Sequence, residues 1–417
     1  MELKQYVEEL CASAKRASAT FAALSTAKKN AILSDIADKL ISGAKDIVKA
    51  NLTDLENAET NGVRKTMIDR LRLDEARIKG ISDSLREVAA LPDPVGKGER
   101  WVRPNGLEIS RVRAPLGTVA IIYEARPNVT VDAAALCIKT GNTVILRGGK
   151  EAIATNRMLA GIMREVIKAH GQDANAVCLL DDTSREGTVM LMSMRQYVDV
   201  LIPRGSKGLI RSVVENAKIP VIETGAGNCH IYIDSSADME MALDIAVNAK
   251  MQRPSVCNAV ETMLVHRDIA KEFLPMFYER TRDRSLEIRG DSEVSAILPD
   301  SSHADESDWE TEYNDYILAV KIVGSVEEAV DHINKYNTGH SEAIVTNNIA
   351  NAGYFQTRVD AAAVYVNAST RFTDGGEFGF GAEIGISTQK LHARGPMALR
   401  ELTTDKYLIN GQGQIRK

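Results

Sequence analysis

The sequence predicts an α/β protein made of two parallel-sheet domains and a small additional β element. Residues 1–92 carry apolar and alanine side chains at helical spacing. Short apolar runs rich in β-branched residues then alternate with helical stretches over 117–223, and a second alternation of this kind runs from about 229 to 366. Apolar strands that alternate with helices are typical of parallel sheets covered on both faces.

The N-terminal helical region ends at a pair of prolines, and a predicted strand or hairpin follows it. Pro92 and Pro94 interrupt the helical pattern, because proline lacks a backbone donor and clashes with the preceding turn. From Trp101 to Arg113 polar and apolar residues alternate, which predicts a strand or hairpin. The last residues, 402–409, alternate in the same way, and this terminal strand needs a partner, either the hairpin or another subunit.

Apolar runs predict the strands of the two sheets. Those of the first sheet are 117–123, 142–147, 176–180, 198–203 and 219–223, with helices near 129–140 and 151–170. Those of the second sheet are 230–234, 317–323, 343–346 and 364–367. The acidic segment 300–312 predicts a surface loop.

The composition is that of an ordinary globular protein and argues against several classes. The 417 residues are 44% hydrophobic and 26% charged, and the net charge of -6 argues against a nucleic-acid binder, which carries a basic stripe. Apolar runs stay below the roughly 18–20 residues of a membrane span, and the N-terminus lacks the apolar core of a secretory signal. We therefore expect a cytoplasmic protein.

The five cysteines do not form a recognisable framework. Their spacing is wide, their number is odd and there is no C-x-x-C pair, so neither disulfides nor a zinc site are indicated. The seven histidines are scattered, and we expect no metal site. The cysteines are Cys11, Cys137, Cys178, Cys229 and Cys257.

Two short segments carry the residue types of a catalytic site. Cys257 follows a helix end and Pro254, outside any periodic apolar face, and the nearby Arg253 favours its thiolate. The strand that ends at Glu223 continues into a turn with two glycines, whose backbone lets a ligand approach closely. The alternative for Glu223 is an ordinary turn residue at the end of a strand.

A glutamate on a glycine-rich turn, followed further along by a loop cysteine, resembles the aldehyde dehydrogenase superfamily. In that superfamily the cysteine is the nucleophile, which the resemblance places at Cys257. The turn Gly205–Ser206 resembles its Gly-Ser turn beside the cofactor, and Arg147 occupies the place of a cofactor-binding lysine. Glu312 resembles the glutamate that holds the nicotinamide ribose. The resemblance covers nearly the whole chain.

The resemblance implies an aldehyde-dehydrogenase-like fold and a division into three parts. Residues 1–225 would form the cofactor-binding domain, with the hairpin 101–116 contributing to oligomerisation. Residues 226–366 would form the catalytic domain that carries the nucleophile. Residues 367–417 would form a return segment that ends in an oligomerisation strand.

Longer stretches resemble the branch of the superfamily that reduces an acyl phosphate of glutamate. They include YEARPNVT (123–130), RGSKGLI (204–210), ETGAGNCH (223–230), QRPSVCN (252–258) and NTGHSEAI (337–344). The resemblance implies NADPH-dependent reduction of L-glutamate 5-phosphate to L-glutamate 5-semialdehyde and phosphate, through a thioester on the cysteine. This is the second step of proline biosynthesis. It also implies a homo-oligomer and names glutamate 5-kinase as a candidate partner.

The resemblance leaves some roles open. Glu223 is the candidate proton shuttle, and the backbone N–H of Cys257 and the side chain of Asn128 are candidate oxyanion donors. The superfamily's Pro-Trp-Asn-Phe-Pro segment is replaced here, so the residue that completes the oxyanion hole stays open. Arg126 and Arg371 are candidates for the substrate's carboxylate or phosphate, because arginine binds both bidentately; the alternative for each is an ion pair.

Two other functions remain compatible with these residues. One is an acylating dehydrogenase that uses a coenzyme A thioester, in which the Arg371 segment would have no clear use. The other is a catalytically silent member that acts as a binding or scaffold protein, against which the intact Cys257, Glu223 and Glu312 argue.

Overall fold

The computed structural model describes residues 2–63 and 65–416, which form two compact units. The first unit comprises the chain up to Thr224, the short segment Gly379–Gly385 and the chain from Met397 onward. The second unit comprises Gly225–Phe378 and Ile386–Pro396. The segment after 366, expected as a separate return segment, is thus shared between the two units.

The first unit begins with the helices that the apolar periodicity predicts. Ser25 caps the second of them by accepting a hydrogen bond from the Lys28 N–H, and Asp74 caps the fifth in the same way. Their apolar faces are buried, as Ile32, Leu33 and Ile36 show on the second helix. The helices are α1 (Leu3–Phe21), α2 (Thr26–Ser42), α3 (Ala44–Thr60), α4 (Lys65–Leu71) and α5 (Glu75–Ala90).

A hairpin and a four-stranded parallel sheet follow. The sheet has the strand order β5-β4-β3-β6 and forms the alternating strand and helix series that the sequence predicts. The elements are β1 (Gly98–Val102), β2 (Glu108–Pro115), β3 (Thr118–Tyr123), α6 (Pro127–Lys139), β4 (Thr143–Arg147), α7 (Ile153–Ala169), β5 (Val177–Leu179), α8 (Arg185–Met192), β6 (Val200–Arg204) and α9 (Lys207–Asn216).

The strand predicted over 219–223 is wrong, because this segment makes only one parallel bridge, between Leu201 and Val221. Leu201 donates its N–H to the Pro220 carbonyl, and its own carbonyl accepts from the Ile222 N–H. The next donor that a parallel ladder needs on β6 would come from Pro203, which has no N–H. The ladder therefore stops after one bridge.

The second unit is built around a seven-stranded parallel sheet. Its strand order is β10-β9-β11-β8-β7-β12-β13, and a small antiparallel pair, β14 with β15, lies later in the chain. The elements are β7 (Cys229–Ile233), α10 (Met239–Met251), β8 (Val260–His266), α11 (Arg267–Thr281), β9 (Glu287–Gly290), α12 (Ser292–Ile297), β10 (Ser302–His303), β11 (Ile317–Val323), α13 (Val326–Tyr336), β12 (Ser341–Val345), α14 (Ile349–Arg358), β13 (Ala363–Val366), β14 (Ile386–Ser387) and β15 (Gly395–Pro396).

The acidic segment 300–312 is not simply a surface loop. It contributes the edge strand β10, and its Asp308 and Trp309 are buried. The Asp308 carboxylate accepts hydrogen bonds from Arg289 and from the Tyr313 hydroxyl, each pair 2.7–2.8 Å apart. Asp308 is thus buried because its charge is paired, whereas the acidic composition of the segment predicted an exposed loop.

The C-terminal strand pairs with the predicted hairpin. β16 (Thr403–Asn410) runs antiparallel to β2, which also pairs with β1, so the three strands form one antiparallel sheet. The sequence left two partners open for this strand, the hairpin and another subunit, and in the structure the strand pairs with the hairpin. The fold is that of two parallel-sheet α/β units and a small antiparallel sheet, as predicted.

Candidate active site

Cys257 is distinguished from the other cysteines by its exposure. All five lie in the described part of the chain, and Cys257 is partly exposed whereas the other four are buried. Burial raises the pKa of Cys11 to about 12 and that of Cys178 to about 11, so neither forms a thiolate at neutral pH. Exposure and loop position single out Cys257 as the candidate nucleophile.

The position of Cys257 follows from the strand order of the second unit. Cys257 lies in the loop before β8, Gly227 lies just before β7, and His340 immediately precedes β12. These three strands are neighbours in the order β8-β7-β12, and parallel strands begin at the same edge of a sheet. The three loops therefore meet at the amino edge of this sheet.

Gly227 holds the backbone of the nucleophile loop in place. A Cβ at Gly227 would lie 1.6 Å from the Cys257 carbonyl oxygen, so no other residue type fits here without moving the loop. The Gly227 N–H donates to Glu312 Oε1 over 2.9 Å, and the Cys229 thiol donates to the Cys257 carbonyl over 3.1 Å. Glu312, predicted as a cofactor residue, is thereby linked to the Cys257 loop.

A histidine that the sequence analysis did not single out contacts the nucleophile. His340 is fully buried, and its Nε2 lies 3.2 Å from Cys257 Sγ. Its Nδ1 lies 2.8 Å from the Ser341 hydroxyl oxygen. The stretch NTGHSEAI contains this histidine, but no local pattern in the sequence indicates that it meets Cys257.

Arg371 belongs to the same unit as Cys257 and is tied to its loop. It lies in a short 3₁₀ turn after β13, where its Nε donates to Gln252 Oε1 over 2.8 Å. The Asn258 side-chain amide donates to the carbonyls of Arg371 and Thr373, which fastens this turn beside the nucleophile. Burial lowers the pKa of Arg371, and Cys257 opposes that shift electrostatically.

In the first unit, the predicted cofactor residues lie at the carboxyl edge of the sheet. Arg147 ends β4, and the turn Gly205–Ser206 joins β6 to α9. Ser206 caps α9, and its N–H and hydroxyl both donate to the Glu124 carboxylate, over 2.7 and 2.8 Å. The turn is therefore built to bind anionic oxygens, as helix N-termini commonly are.

The Arg147 guanidinium is oriented by backbone carbonyls. It donates to the carbonyl oxygens of Thr183 and Ser184, over 2.7 and 3.1 Å. Its Nε is buried without a hydrogen-bond partner among the described residues. Burial lowers the pKa of Arg147, whereas the carboxylates of Asp182 and Glu151 oppose that shift.

The remaining predicted residues of the first unit follow strands at the same edge. Arg126 immediately precedes α6, and Asn128 in its first turn donates to the Asp132 carboxylate over 3.0 Å. Burial raises the pKa of Asp132 to about 6, and this hydrogen bond opposes the shift. Glu223 is partly buried and lies just after the single bridge at Val221.

The comparisons with known proteins decide the family. The model of the aldehyde dehydrogenase family matches residues 3–308 and 296–406. A γ-glutamyl phosphate reductase of Halothermothrix orenii is 54% identical over 418 residues, which cover 100% of both chains. The chain belongs to the aldehyde dehydrogenase family, and within it to the γ-glutamyl phosphate reductases.

The solved structures agree with this family in fold. The crystal structure of a γ-glutamyl phosphate reductase from Thermotoga maritima matches with a TM-score of 0.96 and 48% identity, over 99% of this chain and 100% of that chain. A glyceraldehyde-3-phosphate dehydrogenase from Methanocaldococcus jannaschii, solved in complex with NADP, matches with a TM-score of 0.72 at 18% identity, over 98% and 95% of the two chains. The latter likeness shows the fold alone.

Membership of the γ-glutamyl phosphate reductases makes the protein an oxidoreductase.

Two further structural findings concern membrane-spanning helices and groups of metal-ligating side chains. Among the described residues, no helix is long and apolar enough to cross a membrane. Across residues 2–63 and 65–416, no group of three or more histidine, cysteine, aspartate or glutamate side chains is arranged to hold a metal ion.

Proposed function

We propose that the protein catalyses the NADPH-dependent reduction of L-glutamate 5-phosphate to L-glutamate 5-semialdehyde and phosphate, the second step of proline biosynthesis. The observation that carries this proposal is the partly exposed Cys257 thiol, which His340 contacts and whose loop Gly227 fixes. The chain's membership of the γ-glutamyl phosphate reductases supports the choice of substrate.

In the proposed reaction Cys257 carries the acyl group. Its sulfur attacks the acyl carbon, phosphate leaves, and the resulting thioester divides one difficult step into two easier ones. Each step passes through an oxyanion, for which the Cys257 N–H and the Asn128 side chain are the proposed donors, each contributing roughly 2.7–4 kcal/mol in comparable sites. Glu223 is the proposed proton shuttle.

The residues at the carboxyl edge of the first sheet fit a dinucleotide. The turn Gly205–Ser206 already binds the two carboxylate oxygens of Glu124, which stand in for phosphate oxygens, and Arg147 supplies a cation at the same edge. These residues would hold the NADPH phosphates, and Glu312 in the second unit would hold the nicotinamide ribose. NADPH, when bound, supplies the hydride that reduces the thioester.

We expect different kinetic effects from the two proposed cofactor residues. Arg147→Ala should mainly raise the KM for NADPH, by about tenfold, because it removes one charged contact. Glu312→Ala should slow hydride transfer by about tenfold with less effect on binding of the adenine half, because the proposed contact of Glu312 is the nicotinamide ribose. Stopped-flow absorbance and NADPH fluorescence titration separate the two effects. Normal kinetics in both variants would contradict these assignments.

The reaction run backwards tests the proposal and its alternatives. Glutamate-5-semialdehyde, phosphate and NADP⁺ should yield NADPH, which absorbance detects without the unstable acyl phosphate. Activity that needs coenzyme A instead of phosphate would favour the acylating dehydrogenase. The absence of activity with either acceptor, from enzyme that binds NADPH, would favour the silent binding protein.

We also propose that the antiparallel sheet β1-β2-β16 mediates homo-oligomer formation. Its surface carries exposed apolar side chains, including Trp101, Tyr407 and Ile409, and Trp101 and Tyr407 meet edge to face at 6.4 Å. An exposed apolar strand at a sheet edge favours pairing with another chain.

The proposed compartment is the cytoplasm, and the proposed protein partner is glutamate 5-kinase. Co-sedimentation of the two purified enzymes tests that association.

Ile409→Glu is expected to shift the protein toward the monomer. The side chain is 61% exposed in the single chain, and a buried unpaired carboxylate would oppose association at this surface. Light scattering coupled to size-exclusion chromatography measures the mass. Ile415→Glu, at an exposed apolar residue beyond β16, is the matched control. An unchanged mass of the Ile409→Glu oligomer would place the interface elsewhere.

A further inference from the structure

The imidazole of His340 lies between the sulfur of Cys257 and a chain of buried hydroxyl groups. On one side, Nε2 is 3.2 Å from Cys257 Sγ, within hydrogen-bonding distance of a thiol. On the other side, Nδ1 is 2.8 Å from Ser341 Oγ. The Ser341 hydroxyl donates to Thr373 Oγ1 over 2.6 Å, and Thr373 Oγ1 lies 2.7 Å from the Tyr365 hydroxyl.

The direction of these hydrogen bonds fixes the tautomer of the neutral ring. A serine hydroxyl has one hydrogen, and that of Ser341 is donated to Thr373. Ser341 Oγ therefore accepts a hydrogen bond, and the Nδ1–H of His340 supplies it. A neutral imidazole with its hydrogen on Nδ1 has its lone pair on Nε2, which faces Cys257 Sγ. The site thus presents a proton acceptor to the thiol.

We propose that His340 is the general base that converts Cys257 to its thiolate. This proposal rests on the proposed role of Cys257 as the acyl carrier. In many nucleophilic sites a base lies within hydrogen-bonding distance of the nucleophile, and a third group orients the base. Here Cys257 is the nucleophile, His340 is the base and Ser341 is the third group. His340 belongs to the same compact unit as Cys257, whereas Glu223 belongs to the other.

The proton and electron movements balance in each step. The Sγ–H bond of Cys257 breaks and its proton moves to His340 Nε2, while the sulfur electron pair forms the bond to the acyl carbon. The bond from that carbon to the phosphate oxygen breaks, and the phosphate leaves with the electron pair and takes the proton from Nε2. After reduction, the carbon–sulfur bond breaks, its electron pair returns to Sγ, and a proton from solvent restores the thiol.

Two ionisable side chains of the same unit, Cys229 and Glu342, lie near the ring of His340. The Cys229 thiol lies 3.7 Å from Nδ1. The buried Glu342, two residues further along β12, accepts hydrogen bonds from the backbone N–H of His230, over 2.6 Å, and from its Nδ1, over 3.1 Å. Burial raises the pKa of Glu342, and the imidazoles of His230 and His340 oppose that shift.

Arg371 is a cation of the same unit: burial lowers its pKa, and Cys257 opposes that shift electrostatically. A thiolate at Cys257 would therefore have a positive neighbour besides the imidazolium of His340. Tyr365 reaches the ring through Thr373 and Ser341, and burial raises the pKa of Tyr365 to about 12, so it stays neutral in the working range.

The pH dependence of Cys257 alkylation by iodoacetamide tests the proposal on the intact enzyme. The four other cysteines are buried, and mass spectrometry of the Cys257 peptide reports the rate at each pH. We expect half-maximal reactivity in the wild type at least about one pH unit below the 8.5 or so of a free thiol. His340→Asn, which keeps a donor toward Ser341, and His340→Gln should move the midpoint to the free-thiol value or above.

For each pH unit by which the midpoint rises, the alkylation rate at pH 7 should fall about tenfold. At high pH, where the Cys257 thiol is ionised in every protein, the rates of the variants and of the wild type should converge. The turnover of both variants should fall by about 10²- to 10⁴-fold. His332→Asn is the matched control, because it removes another buried imidazole of the same unit, one that packs on Trp309 and Tyr336. Its alkylation profile should match the wild type.

Folded His340 variants with the wild-type alkylation profile would overturn the proposal. If the His340 variants do not fold, Ser341→Ala replaces them: it removes the acceptor that fixes the tautomer, and it should raise the midpoint by a smaller amount. An unchanged midpoint in that variant would also overturn the proposal. Because alkylation involves neither acyl substrate nor cofactor, a normal wild-type profile without reductase activity would contradict the proposed function alone.

Discussion

Replacing Cys257 with serine is expected to lower kcat by about 10⁴-fold or more, while the fold and NADPH binding are retained. A serine hydroxyl stays protonated at neutral pH, and an ester that it formed would be reduced less readily than a thioester. The side chain is partly exposed and in a loop, so the substitution removes little packing. Steady-state assays in both directions, with circular dichroism and NADPH titration, measure the outcome.

The buried cysteines provide the controls for this result. Cys11→Ala, Cys137→Ala and Cys178→Ala should retain substantial activity, because these side chains lie in the core of the first unit. Cys229→Ala should cost several-fold, because its thiol donates to the Cys257 carbonyl. A turnover close to that of the wild type in purified Cys257→Ser would contradict the thioester mechanism.

Arg371→Ala is expected to lower kcat/KM for glutamate-5-semialdehyde by roughly 10- to 150-fold. The guanidinium is partly buried beside the Cys257 loop, and a planar fork of donors matches the α-carboxylate of a glutamyl substrate with two parallel hydrogen bonds. A charge-assisted bond of this kind contributes about 1.5–3 kcal/mol. Contacts at the remote end also orient the acyl carbon, so both kcat and KM should change.

A simple aldehyde separates substrate recognition from a structural role of Arg371. Propanal has no carboxylate, so Arg371→Ala should lose little activity toward it, if the wild type turns it over. Arg371→Lys should recover only part of the loss, because lysine lacks the planar fork. Gln252→Ala removes the partner of Arg371 Nε and controls for its orientation. Equal losses on both aldehydes would make Arg371 structural and move the carboxylate role to Arg126.

Much of the fold follows from periodicity and from proline positions. The run over 317–323 coincides with β11, and the alternations over 101–113 and 402–409 predicted β2 and its partner β16. The segment 219–223 has the composition of a strand, but Pro203 on the neighbouring strand ends the ladder. The run over 260–266 forms β8 without having been predicted, because its polar Glu261 and Thr262 are buried and break the apolar pattern.

The candidate site was predictable where local context carried the signal. A cysteine shortly after a proline, outside any apolar face, pointed to Cys257, whereas Gly205–Ser206 was predicted from its resemblance to the superfamily's Gly-Ser turn. His340 was missed because it meets Cys257 only through the strand order β8-β7-β12, which no local pattern specifies. Glu124 was missed as the partner of Ser206 for the same reason, since β3 and β6 bring them together.

The measurement that tests the central claim most directly is a burst experiment without phosphate. Enzyme mixed with glutamate-5-semialdehyde and NADP⁺ should form about one equivalent of NADPH per chain and then stall, because the thioester has no acceptor. Acid quenching and peptide mass spectrometry should find the glutamyl adduct on Cys257. Steady turnover with phosphate but without a burst, or an adduct on another residue, would contradict the account.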